Sequence, residues 1–65
     1  MEINEIIRRL RNKGHSIGDP VVNSDGKLCV RIDDVSMFQR DAEELALGRA
    51  KLDEIIERNR GKNLP

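Results

Sequence analysis

The chain has 65 residues, with 12 Lys plus Arg against 12 Asp plus Glu, one Cys, one His, one Phe and neither Trp nor Tyr. A chain of this size buries only about 60% of the surface its unfolded state exposes, so a deep substrate cleft is hard to hollow from it and most enzyme classes are disfavoured. A lone Cys29 forms no internal disulfide, and Cys29 with His15 does not complete a four-ligand zinc site. Helix packing or oligomerisation is left to hold so small a core.

The balanced charge and a sequence pI near 6.6 also remove the broad field of a dedicated nucleic-acid or anionic-membrane binder. Locally the balance shifts: Arg8, Arg9, Arg11 and Lys13 outnumber Glu2 and Glu5 at the start, and Asp19, Asp25, Asp33 and Asp34 outnumber Lys27 and Arg31 in the middle. No apolar run approaches the roughly 18 residues of a membrane span. The polar opening Met1-Glu2-Ile3-Asn4 does not read as a signal peptide, and a cytoplasmic setting is the expectation.

In chain order, Ile3, Ile6, Ile7 and Leu10 recur at helical spacing, with polar residues between them and Gly14 as a stop. Residues 15–20 form a connector ending at Pro20. Val21 and Val22, then Asn23-Ser24-Asp25-Gly26, then Lys27 to Ile32 predict a β-hairpin with a type I turn and a bulge at Gly26. Strand alternation sends Leu28, Val30 and Ile32 to the core and Lys27, Cys29 and Arg31 to solvent. Ser36 and Gln39 have the spacing of a capping box, which predicts a second helix from about Met37 to about Asn59.

That helix carries Phe38, Ala42, Leu45, Leu52 and Ile56 on one stripe, with Leu47 pointing away and Arg49 within it. Gly48 lies between these two faults. Either the helix breaks there and re-aims its second half, or it continues and Leu47 meets another chain. Since one Gly costs only about 1 kcal/mol relative to Ala, the strong helix formers on both sides favour continuity with a kink. The expected fold is α+β, in the order helix, hairpin, long helix, over residues 1–60, with a frayed tail at 61–65. The candidate core is Ile3, Ile6, Ile7, Leu10, Ile17, Val22, Leu28, Val30, Ile32, Val35, Phe38, Leu45, Leu52, Ile55 and Ile56.

Candidate chemistry is sparse. His15 reads as a solvated loop histidine, Cys29 has no implied base or helix N-terminus beside it, and Asp33-Asp34 reads as a strand-to-helix junction. The Asn23–Gly26 turn fails the calcium-loop pattern, because the first and twelfth ligand positions would be Val21 and Ile32. The glycines are too widely spaced for a phosphate loop. No catalytic, cofactor-binding or metal-binding residues are assigned.

Arg8, Arg9, Arg11 and Lys13 are the nucleic-acid candidates, but they surround the helix's polar arc and have no Tyr or Trp beside them for base stacking. A continuous second helix of some 22 residues would be roughly 33 Å long, more than a hairpin and a three-turn helix can cover. Leu47, Gly48, Leu52, Ile55 and Ile56 are therefore the interface candidates, and pairing with a second copy is the simplest cover. The expected function is a small non-enzymatic protein–protein interaction module, a homodimer with a regulatory or accessory role. The alternative is a small DNA-associated transcriptional regulator using the hairpin or the basic first helix.

Overall fold

The amphipathic pattern at the start forms α1 (Ile3–Asn12), in the computed structural model, which describes residues 1–62 and 64. Its apolar face buries Ile6 and Leu10 completely. The helix ends where the Gly14 amide donates to the Arg11 carbonyl and the His15 amide to the Leu10 carbonyl, the paired bonds of a Schellman stop.

The hairpin forms as its residues predict, with β1 (Val21–Val22) antiparallel to β2 (Leu28–Ile32) and Val21 opposite Cys29. The Gly26 amide closes the turn on the Asn23 carbonyl at 3.0 Å, and Asn23 Oδ1 accepts the amides of Asp25 and Lys27. A third strand follows where the sequence pattern reads as the cap and first residues of a helix: β3 (Val35–Phe38) pairs antiparallel with β2, Ile32 opposite Val35 and Cys29 opposite Phe38. Asp33 and Asp34 make the two-residue turn between them, with φ of 51° and 65°. Both central residues of a type I′ turn need positive φ, which Asp tolerates better than most side chains. Ser36 is thus opposite Arg31 inside a strand, and the expected capping box does not form.

The expected long second helix is two helices, α2 (Gln39–Ala46) and α3 (Leu52–Arg58). Gly48 has φ +76°, its amide donates to the Leu45 carbonyl, and the Arg49 amide reaches the Glu44 carbonyl at 2.8 Å. This is a second Schellman stop, and it turns the chain back so that Ile55 is fully buried and Leu52 packs on the core. Burying a large aliphatic side chain is worth about 1.5–3 kcal/mol, which outweighs the few helical hydrogen bonds given up at a Gly that already disfavours helix. Continuity fails for this reason. The molecule's longest dimension, 29 Å, is shorter than the uninterrupted helix would have been alone.

The sheet runs in the order β1-β2-β3, extended by a single bridge between Ile17 and Ile32. All three helices contribute to one core with Val30, Ile32 and Met37 from the sheet and Ala42, Leu45, Ala46 and Ala50 from the second half of the chain. The α+β architecture expected from the sequence is present, with one more strand and one more helix. Cys29 does lie on the sheet face opposite Val30 and Ile32, but it is only 3% exposed and not solvated. On the central strand it sits directly between Val21 and Phe38, whose larger side chains cover it, and burial pushes its thiol pKa up.

Candidate functional site: a basic groove beside Phe38

The segment from β3 into α2 and the segment after α3 converge on a groove of about 640 Å³. Lys27 and Leu28 enter from the hairpin, Phe38, Gln39, Arg40, Asp41 and Glu44 from the β3–α2 segment, and Arg58, Asn59 and Lys62 from the end of α3 and the turn after it. Gly61, at φ 83°, turns the chain so that the Lys62 amide returns to the Asn59 carbonyl at 3.0 Å.

One wall of the groove is a polar cluster built on a buried carboxylate. Asp41 is 4% exposed, and its two oxygens accept from Arg58 Nη1 at 2.8 Å and Asn59 Nδ2 at 2.9 Å. Arg58 Nη1 also reaches Glu44 Oε2 at 2.7 Å, and these carboxylates, Glu44 foremost, raise the guanidinium pKa above its ordinary value. Asn59 is 8% exposed, and its Oδ1 is buried without a hydrogen-bond donor. An unsatisfied buried acceptor costs about 1–3 kcal/mol, and this one is enclosed by the fold.

The remaining lining is cationic and aromatic. Lys27 Nζ and Lys62 Nζ each lie 5.6 Å from the centre of the half-buried Phe38 ring, within cation–π range. Among the described residues Lys27, Arg40 and Lys62 make no ion pair, so Arg58 alone of the groove's four cations is neutralised within the chain. Phe38 is also the N-cap of α2 and supplies no side-chain cap to the first-turn amides. The unpaired cations favour an anion, while the first turn of α2 already carries the carboxylate of Asp41.

The basic first helix is less available than its composition suggests. Arg8 and Arg9 both pair with Glu5, Arg8 Nε at 3.0 Å and Arg9 Nε at 3.0 Å, and the two guanidiniums, Arg8 foremost, hold the Glu5 carboxyl below its usual range. Arg11 and Lys13 are exposed and make no ion pair among the described residues. Asp25 lies in the turn of the β1–β2 hairpin, Asp33 and Asp34 form that of β2–β3, and Asp53 and Glu54 occupy the first turn of α3. Those carboxylates would repel a phosphate backbone.

The interface candidates separate. Ile55 is inside the monomer and Leu52 packs against its core, whereas Leu47 and Ile56 remain 36% and 44% exposed and Gly48 forms the turn. His15 is not a free loop histidine: its Nδ1 lies 2.6 Å from Asp33 Oδ2, and Asp33 Oδ1 accepts the Ser16 amide at 2.9 Å. The pair ties the connector to the β2–β3 turn, and its hydrogen bonds, His15 first, lower the Asp33 pKa. Of the tail expected to fray, Asn63 and Pro65 lie outside the described residues, while the Leu64 amide donates to the Lys62 carbonyl at 3.1 Å. Among the described residues no three His, Cys, Asp or Glu side chains are grouped to hold a metal ion, and no helix is long and apolar enough to cross a membrane.

The sequence reading missed Lys27, Phe38, Arg40, Asn59 and Lys62 as a site. Phe38, the only aromatic residue, was the available signal, but only a third strand places it beside Lys27. Comparison with known proteins finds no matching family model, no similar curated protein and no similar solved structure.

Proposed function

We propose that this chain is a small non-enzymatic protein–protein interaction module, regulatory or accessory in a cytoplasmic setting, and that it docks its partner in the groove beside Phe38. The observation that carries the reading is a groove with three cations that make no ion pair among the described residues, Lys27 and Lys62 over a half-buried aromatic ring and Arg40 in the same lining. A chain with no use for these charges gains nothing by concentrating them, and aromatic and cationic residues are the usual anchors of protein interfaces. Pairing with a second copy is the other form the interaction can take. It is favoured by Leu47 and Ile56, the apolar residues still exposed after α3 has folded back.

The test is capture of partners from the native cells by the unmodified chain and by Lys27→Glu/Lys62→Glu, after nuclease digestion. Discrete proteins retained by the first bait and lost by the second are expected. The same set on both baits, or capture that disappears with the nucleic acid, would contradict the reading.

A further inference from the structure

We infer that the segment taken by this groove is an extended acidic peptide, presenting carboxylates to Lys27, Arg40 and Lys62; the inference rests on the docking role proposed above. The charges on the groove wall select the ligand. Lys27, Arg40 and Lys62, which make no ion pair among the described residues, call for negative charge, while the groove's neutralised side, Arg58 with Asp41 and Glu44, adds no further demand for it. An extended acidic peptide supplies that charge as carboxylates on successive residues about 3.3 Å apart along its chain.

The placement of the lysines also separates a peptide from a single-stranded nucleic acid. Strand binding uses an open aromatic face on which a base can stack. Here two ammonium groups already stand 5.6 Å from the Phe38 centroid, and a stacking base would have to displace them. Carboxylates ask for no displacement: they meet the lysines where the ring holds them. The volume, about 640 Å³, is also several times what a single small anion fills, so a chain of several residues fits the space better than an isolated ion.

The experiment is a titration of the ¹⁵N-labelled full chain with a twelve-residue peptide of alternating Glu and Ser, the matching Gln and Ser peptide, and a twelve-nucleotide oligothymidylate. Saturable shifts at Gln39, Arg40 and the Asn59 side-chain amide are expected with the acidic peptide and none with the neutral one. Lys27→Glu/Lys62→Glu should weaken binding by about tenfold or more, whereas Arg11→Glu/Lys13→Glu, an equal change of charge on α1, should weaken it by less than about threefold. Equal losses in the two variants would reduce the effect to diffuse electrostatics and overturn the inference. So would failure of the acidic peptide to saturate, or oligothymidylate moving the same resonances at lower concentration. Cellular capture that still depends on Lys27 and Lys62 while the acidic peptide does not bind would sink the peptide chemistry and leave the docking role standing. Loss of both would remove the docking role as well.

Discussion

Replacing Ile55 and its neighbour Ile56 by Val, one at a time, measures how α3 is used. Ile55 is fully buried in the core and Ile56 is 44% exposed, although they are adjacent and chemically identical. Removing one buried methylene by Ile→Val costs about 0.5–1.5 kcal/mol, whereas an exposed substitution stays within about 0.5 kcal/mol. In a domain of this size each kcal/mol moves the melting temperature by about 4–8 °C, so Ile55→Val should lower Tm by roughly 2–12 °C and Ile56→Val by little. Total stability for so short a chain is only about 3–10 kcal/mol, and Ile55→Ala, at about 2–5 kcal/mol, should leave it partly or wholly unfolded. Thermal melts followed by circular dichroism at several protein concentrations are the assay. Equal shifts for the two Val variants, or a larger one at Ile56 that grows on dilution, would mean that α3 is held by a second chain and not by its own core.

Three further outcomes are expected. Gly48→Ala places a side chain at φ +76°, a left-handed conformation that costs about 1–2 kcal/mol, and Gly48→Asn should recover part of the loss in urea denaturation; no change with Ala would mean the stop is not needed. Cys29 should react with a thiol reagent at least about a hundredfold more slowly in native buffer than in denaturant, because reaction waits for opening of the fold, and comparable rates would place the thiol at the surface. The Asp33 carboxyl is lowered by its bonds to His15 and the Ser16 amide, so its contribution is present above the ordinary carboxylate pKa of about 3.9 and is lost as pH falls through the lower folded value. Asp33→Asn, which still tolerates positive φ, should therefore lose less Tm than the unmodified chain between pH 4 and pH 2, and parallel acid limbs would show that the pair does not stabilise the fold.

The elements most visible in the sequence were those whose signals are local. The period of Ile3, Ile6, Ile7 and Leu10 gives α1, and Asn23 to Gly26 gives a hairpin turn whose hydrogen bonds all lie within five residues. What failed depended on contacts far along the chain. Ser36 to Gln39 has the spacing of a cap, and only the pairing of β3 with β2, through an Asp-Asp turn lacking the usual Gly, shows that Ser36 belongs to a strand. At Gly48 the local cost of a glycine is small, but the burial of Ile55 and Leu52, which decides the matter, is tertiary. Cys29 was placed on the right face, and its burial comes from neighbours on two other strands. The groove was hidden for the same reason: Lys27, Phe38 and Lys62 are 11 and 24 residues apart in sequence and meet only once the β2–β3 pairing and the turn after α3 are known.

A photo-crosslinking side chain placed in turn at Arg40, Ile56 and Arg11 within the living cell tests the docking role most directly. Arg40 is an exposed residue of the groove, Ile56 the exposed apolar position of α3, and Arg11 an unpaired cation of α1. Adducts to another protein are expected from Arg40, with neither Ile56 nor Arg11 giving a comparable product. Adducts to a second copy from Ile56, or to nucleic acid from Arg11, with none from Arg40, would contradict the assignment of the groove beside Phe38 as the docking surface.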